Sequence, residues 1–480
     1  MTSQSPAIHA PGMTGTQPAT PAASVDATSP ARRVPLPRVW PVRASDIVAL
    51  LVGNAVLIVL MWIRHGGLDQ LSTSAGMVTA AGQLTALLGT YLVLVELLLM
   101  SRSPWADQAF GTDRITAAHR WIGFGATSLI VAHVVLTTVG WSMGDGSSVV
   151  AEAWTLLTAY PFVFWAAVAL LMFVFLAASS IRAARRRMSY ESWFSIHLYA
   201  YLAVALAFAH QLLVGRDFVD DPVARIYWMG LYMAVVALIL VFRFGQPMAL
   251  SLRHRLRVER VEREGPGVVS IYVTGRDLDR LPVRAGQWFQ WRFLRRDGWW
   301  RAHPFSISAA PNGKFLRLTV KDLGDDSHRF QDLRVGTPVY IEGPYGVMTG
   351  ARRTRQRVLL VAGGIGIAPL RALFAGLSAG PGDLTLVYRA SRPEDVVFRD
   401  ELDRIAAARG ASVHYLVGRR GTPAMPDDPL APEPLGRLVP DIADRDVYVC
   451  GPIPMMDRVE KTLRSLGVPG GQVHLERFAF

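Results

Sequence analysis

Six apolar runs follow one another between Ser45 and Gly245: Ile47–Ile63, Ala75–Met100, Trp121–Met143, Ala153–Ile181, Ser192–Gly215 and Ile226–Phe242. Each holds 17 or more residues, enough for roughly one bilayer crossing as a helix. The first or the last alone could be a buried helix of a soluble domain. Six in succession predict a six-helix membrane bundle. Composition agrees: 51% of the 480 residues are hydrophobic and 18% charged, against about a quarter charged in soluble domains.

Net charge is +12, and 47 of the 50 basic residues are arginine. Position decides what that charge means. Arg32, Arg33, Arg38, Arg43, Arg102, Arg114, Arg182, Arg185, Arg186 and Arg187 fall in segments on one side of the predicted bundle; Arg64, Arg216 and Arg225 fall on the other. The bias predicts a six-pass protein of a plasma or inner membrane, with both termini and the soluble half cytoplasmic. It is a topology signal, and no zinc-finger, RNP or helix-turn-helix signature points to nucleic acid. The single cysteine, Cys450, excludes an internal disulfide, a thiolate-ligated iron–sulfur cluster and a Cys-based structural zinc site.

Composition divides the chain further. Residues 1–30 are rich in Ala, Thr, Ser, Pro and Gln and cannot bury a core, so 1–44 reads as a disordered tail with a basic juxtamembrane segment. It lacks the pattern of a signal peptide. The membrane domain follows over 45–246. Residues 247–352 show period-2 strands separated by Gly and Pro turns, which predicts an antiparallel β-barrel. Residues 353–480 alternate apolar strand and amphipathic helix, the rhythm of a doubly wound α/β domain.

Four of the 11 histidines lie in predicted membrane helices, His119 and His133 on the third, His197 and His210 on the fifth. An ionisable group in hydrocarbon is a functional candidate by default; singly, each could equally be hydrogen-bonded to a neighbouring helix. Third and fifth helices of an up-down bundle run in the same direction, so His119 shares a depth with His197, and His133 with His210. The pairs lie 14 and 13 residues apart, about 21 and 19.5 Å of rise. Two facing imidazoles suit a bis-histidine haem, and two levels make an electron path across the bilayer. Fourteen residues return a side chain to within about 40° of its starting face, whereas thirteen leave it about 140° away. The fifth helix must therefore tilt, bend or present its rings from different sides.

In the soluble half, Arg301-Ala302-His303-Pro304-Phe305-Ser306 links two strands. Gly324-Asp325-Asp326-Ser327, after Lys321, opens a helical segment; such a start can hold a pyrophosphate but more often is an N-cap. Gly343-Pro344-Tyr345-Gly346 is a turn. Val361 to Pro369 runs from apolar strand through Gly363, Gly364 and Gly366 into a helix, a phosphate-approaching turn without the G-x-G-x-x-G form. Arg389 and Arg392 follow the next strand, where arginines can grip a 2′-phosphate and favour NADPH, or can simply be solvated. Cys450-Gly451-Pro452 stands at a strand end, the ligand side of such a sheet.

In this order the motifs resemble the NADPH oxidase and ferric reductase superfamily, with a soluble half similar to ferredoxin–NADP reductases. The resemblance covers residues 45–480. It implies two b-type haems, an inner one on His119 and His197 and an outer one on His133 and His210. It implies FAD on His303, Pro304, Phe305, Ser306 and Lys321, with the pyrophosphate at Gly324 and Ser327. NAD(P)H is implied at Gly363, Gly364, Gly366, Pro369, Arg389, Arg392, Gly451 and Pro452, with Cys450, Glu476 and Phe478 as catalytic residues. Ser306 replaces a common Thr, and Phe480 rather than Phe478 could be the aromatic that covers the flavin. The activity implied is electron transfer from cytoplasmic NAD(P)H through FAD and haems to a small external acceptor, oxygen or ferric iron. Two alternatives stand beside it: a transporter or channel with a nucleotide-sensing domain, and a haem-only subunit of a partner protein.

Overall fold

The computed structural model describes residues 43–477 apart from 182–186, 189, 423, 424 and 426. The expectations for residues 1–42, for Arg182, Arg185 and Arg186, and for Phe478 and Phe480 therefore fall outside the described residues.

Six helical spans are long and apolar enough to cross a membrane: Ala44–Arg64, Ser74–Leu99, Thr112–Asp145, Val163–Ser180, Ser192–Val214 and Pro222–His254. Two depart from the sequence reading. The fourth run is divided into helices Val149–Ala159 and Val163–Ser180. Pro161 lies in the break, and Phe162 takes a left-handed φ of 63°; proline cannot continue the ladder and its predecessor avoids the helical region. The fifth span is interrupted at Leu198, between Tyr190–His197 and Tyr199–Val214. That break lies between His197 and His210, where the thirteen-residue spacing demanded a change of phase.

The second and third spans, α1 (Ser74–Leu99) and α2 (Thr112–Asp145), pack antiparallel along a seam of close approaches. A Cβ on Gly82 would meet Thr137 Oγ1 at 2.7 Å, one on Gly89 Ile130 Cγ1 at 3.2 Å, one on Gly123 Glu96 Oε2 at 3.4 Å, and one on Gly140 Thr79 Oγ1 at 2.4 Å. Positions 82, 89 and 96 repeat every seven residues, the period that keeps one helix face on its partner. Small residues there let the backbones close in, the usual way helices pack in lipid.

Residues 257–345 form six strands in two three-stranded antiparallel sheets. In one, β1 (Arg257–Gly265), β2 (Val268–Thr274) and β5 (Leu316–Lys321) run in the order β1-β2-β5; in the other, β3 (Trp288–Phe293), β4 (His303–Ser306) and β6 (Val339–Tyr345) run β4-β3-β6. Bridges Arg257–Pro338 and Ile307–Leu318 join the sheets around one core that includes Ile271, Phe289, Trp291, Leu318 and Ile341. The last part is a five-stranded parallel sheet in the order β11-β10-β7-β8-β9. Its strands are β7 (Arg357–Gly363), β8 (Leu384–Ala390), β9 (Ser412–Val417), β10 (Arg445–Cys450) and β11 (Val473–Leu475). β7 and its two neighbours are buried on both faces, the continuous apolar run expected of central parallel strands. Sequence reading missed β11, three residues long, and the helix Pro432–Leu438.

Three sets of contacts join the parts. Arg317 on β5 and Arg371 on the helix Ile367–Gly376 share Glu401 on the helix Arg399–Arg409, tying barrel to α/β domain. The last membrane helix continues through Gln246–His254 onto β6, where Ser251 Oγ accepts the Ile341 N–H at 3.3 Å. The connection between α1 and α2 docks beneath the barrel: Arg102 donates to Glu342 at 2.6 Å, Gly346 N–H to Asp107 at 2.8 Å and Arg477 N–H to Asp113 at 3.0 Å. The Glu342 side chain is only 4% exposed. Arg102→Ala should therefore remove the shorter of the two arginine pairs of Glu342, leaving Arg292 at 3.5 Å and the Tyr345 hydroxyl, and cost up to about 3 kcal/mol. Thermal unfolding of the detergent-solubilised protein checks this; a melt unchanged from the parent would show that the pair does not hold the junction.

Candidate functional sites

The membrane histidines gather as two levels. His119 and His197 have ring centroids 5.8 Å apart with planes at 84°, and His197 stacks on Trp193 at 5.0 Å. His210 lies within electrostatic reach of His133. One nitrogen of His133 is committed: its Nδ1 sits 3.0 Å from the Gly82 carbonyl and 3.1 Å from Thr137 Oγ1. That fixes the tautomer and leaves Nε2 as the free ligand atom. His119 Nδ1 lies against the carboxylate of Glu96, which is buried at 8% exposure. The Nδ1 atoms of His197 and His210 are buried without a hydrogen-bond partner among the described residues. Paired rings, one with a nitrogen held by a backbone carbonyl and one with a nitrogen against a carboxylate, are a donor set that fits axial ligation of two haems. Arg64 and His65, at the C-terminal end of the first span, contact Asp221 and Asp217; they tie the ends of neighbouring helices together.

A second site lies where the barrel meets the membrane connection. Ser306 ends β4 opposite Trp288. Its Oγ is buried without a hydrogen-bond partner among the described residues, an orphan that fits a hydrogen bond to a flavin edge. Phe305 and His303 stack at 6.1 Å with planes 8° apart, and both meet Phe330 edge-on. Trp291 Nε1 holds the Phe305 carbonyl at 2.8 Å. Beyond His303 a cleft of ≈ 280 Å³ is lined by Arg295, Arg301, Arg329 and Phe330. Sequence reading quoted Arg301 but assigned it no role, and passed over Arg295 and Arg329, although the first two lie within eight residues of His303. Gly324 and Ser327 are engaged by their own turn: Asp322 accepts the Gly324 N–H at 3.0 Å, and Ser327 Oγ accepts the Leu323 N–H at 2.8 Å and donates to the Gly324 carbonyl at 2.6 Å.

Glu476 reaches the same place from the C-terminal end. Its carboxyl is buried, Trp288 donates to it, and a Cβ on Gly346 would come within 2.5 Å of Oε1. Burial, with Asp107 and Asp113 close by, raises its pKa well above the usual carboxylate range. Beside it Cys450 ends β10; burial first, then Glu476, pushes the thiol's pKa up, so Cys450 is a neutral thiol.

A third site follows the order reversal of the parallel sheet, where β7 lies between β10 and β8; ligands of such sheets bind at that crevice. The three glycines of the turn serve different ends. A Cβ on Gly366 would strike the Cys450 carbonyl at 2.3 Å and one on Gly363 the Met455 sulfur at 2.4 Å, so these two allow the turns after β7 and β10 to touch. Gly364, at φ +53°, has open space where its Cβ would point. It lines a cleft of ≈ 250 Å³ with Lys321, Ile365 and Asp395, a cradle that fits a cofactor's backbone. Pro369 is buried in the helix that follows. Arg389 donates to the carbonyls of Ala390, Leu416 and Gly418, and Arg392 pairs with Asp395. Pro452 caps the helix Ile453–Ser465, and Gly451 packs against Gly363, with a Cβ 3.1 Å from its Cα.

Comparison with known proteins gives the class. Residues 85–208 match the ferric reductase like transmembrane component, and residues 360–461 the oxidoreductase NAD-binding domain. The two modules stand in that order along the chain, a membrane component similar to ferric reductases followed by an NAD-binding oxidoreductase domain. Among curated relatives it is similar to the glycine betaine monooxygenase reductase subunit of Chromohalobacter salexigens, 30% identical over 38% of this chain and 53% of the relative. It is also similar to the NADH oxidoreductase HCR of Escherichia coli, 28% identical over 45% and 65%, and to the flavohemoprotein of Pseudomonas aeruginosa, 30% identical over 47% and 58%. The chain thus spans between about half and two thirds of the length of these relatives. Among solved structures, the FAD/NAD binding domain of nitric oxide dioxygenase from Vibrio cholerae matches 47% of this chain and 99% of that one, at 24% identity and a TM-score of 0.38. The chain thus joins six helical spans long and apolar enough to cross a membrane to a domain that matches the NAD-binding domain of oxidoreductases.

The buried Glu476 carboxyl sets a pH dependence. The folded protein holds that proton to a higher pH than the unfolded chain does. Its stabilising contribution is complete below the ordinary carboxylate range and is lost as pH rises towards the folded pKa, by up to about 1.4 kcal/mol per pH unit. Glu476→Gln should flatten the fall of melting temperature as pH rises out of the ordinary carboxylate range; parallel pH profiles for parent and variant would show that Glu476 carries no such proton.

Proposed function

We propose that the protein carries electrons from NAD(P)H on the cytoplasmic side, through FAD and two haems, to a small acceptor on the opposite side. The observation that carries this reading is two levels of half-buried, paired histidines in the helix bundle, with the Gly346 turn of the barrel docked on the connection between the second and third spans. When bound, FAD exchanges between a two-electron nicotinamide donor and one-electron haems that relay charge through the bilayer.

The chain's residues divide the work. Gly364 and the Cys450-Gly451-Pro452 turn would receive NAD(P)H at the crevice between β7 and β10. With Arg389 and Arg392 both engaged, nothing among them selects NADPH over NADH. Ser306, Phe305 and His303 would hold the flavin, with Arg301 and Arg329 near its phosphates. Glu476, beside Cys450 with a buried carboxyl that holds its proton to higher pH than usual, would offer a hydrogen-bond donor at that turn. His119 with His197 would hold the inner haem and His133 with His210 the outer, each imidazole offering one nitrogen. The excess of arginine on the side of Arg43, Arg102 and Arg114 supports a cytoplasmic reductase module.

His133→Leu tests the ligand assignment. The purified variant is expected to lose one of two low-spin haem absorptions and all reduction of external acceptors, while NAD(P)H-dependent dye reduction by the reductase module persists. A variant that keeps both haems refutes it. Parallel assays of superoxide and ferrous iron from the parent protein with NADPH or NADH identify acceptor and donor.

A further inference from the structure

The two histidines of α2 stand in equivalent places but touch different groups. His119 and His133 are 14 residues apart, and so are the seam positions they face on α1, 96 and 82. At the outer level residue 82 offers a backbone carbonyl to His133 Nδ1, at 3.0 Å. At the inner level residue 96 offers a carboxylate to His119 Nδ1. Glu96 replaces the glycine that occupies positions 82 and 89, and Gly123 on the facing helix makes room for it, its Cβ direction ending 3.4 Å from Glu96 Oε2. The other carboxylate oxygen, Oε1, is buried without a hydrogen-bond partner, and among the described residues Glu96 pairs with no arginine or lysine. A buried anion is expensive unless a partner needs it, and here the partner is a proposed iron ligand.

Resting on the haem reading above, we propose that Glu96 is a positioning residue that sets the inner haem at a lower reduction potential than the outer. A carboxylate oxygen that accepts from Nδ1–H gives the imidazole more imidazolate character, which favours ferric over ferrous iron. A neutral carbonyl does so far less. One electron passing from inner to outer iron, with no bond or proton transferred, then runs downhill and outward.

Redox titration of the purified full-length protein tests this, in two backgrounds that isolate each couple: His210→Leu for the inner haem, His197→Leu for the outer. Glu96→Gln should raise the inner midpoint by at least a tenfold change in the equilibrium constant, about 59 mV for one electron, and leave the outer midpoint in place. An inner midpoint that stays put, or equal shifts of both, overturns the proposal. If Gln empties the inner level, Glu96→Asp decides: haem retained with a raised midpoint supports the role, and an unchanged midpoint or lost haem overturns it, since a purely structural residue alters occupancy and not potential. Parent protein carrying fewer than two haems would instead sink the electron-relay reading itself.

Discussion

The structure depends on the close antiparallel approach of α1 and α2. In hydrocarbon there is no hydrophobic gain in bringing two helices together, so contact distance decides whether they associate. Glycine at 82, 89, 123 and 140 removes the side chains that would hold the backbones apart. The same closeness brings the Gly82 carbonyl within hydrogen-bond distance of His133. A methyl group at 82 would separate the helices and cut that bond together. Packing and ligand orientation are thus one device.

The seam extends its influence into the reductase module through a short piece of chain. Between Glu96 and Asp113 lie the carboxylate on His119, the Arg102–Glu342 pair, and the Asp107 and Asp113 carboxylates that receive N–H groups from the barrel turn and the C-terminal segment. Neither Asp107 nor Asp113 ends an amphipathic pattern or a motif. Their role is visible only when the connection between two membrane helices meets residues more than 200 positions away.

The sequence made some features plain and hid others for physical reasons. The six spans were legible because a bilayer crossing demands a long apolar run. The turn after β7 was legible because strand, glycine and helix follow directly. The division of the fourth run at Pro161 was hidden by apolar residues on both sides, which hydropathy cannot divide. The separate uses of Gly363, Gly364 and Gly366 could not be told apart, since packing against Cys450 and Met455 is a matter of distant chain. Arg389 and Arg392 looked available in an arginine-rich chain. In the fold, guanidinium groups often hold carbonyls or acids at loop ends, as Arg353 and Arg409 do, so their number says little about ligands. The seam of sevens was present in the sequence as Gly82, Gly89 and Glu96, but its partner register needed both helices in place.

Direction is the remaining problem for a bundle that carries electrons as proposed. Two histidine levels built alike would let an electron rest equally on either side of the bilayer core, and net flow would then depend on the supply and removal of electrons at the two ends. The fold departs from that symmetry at one place. Each of the equivalent positions on α1 meets a histidine nitrogen, one with a peptide oxygen and the other with a side-chain carboxyl oxygen. On the proposed reading the carboxyl stands at the level nearer the reductase module, where it would make an outgoing electron the more favoured. The asymmetry is in the sense that outward transfer requires, and it comes from a single side chain, with the space for it left by a glycine on the opposite helix.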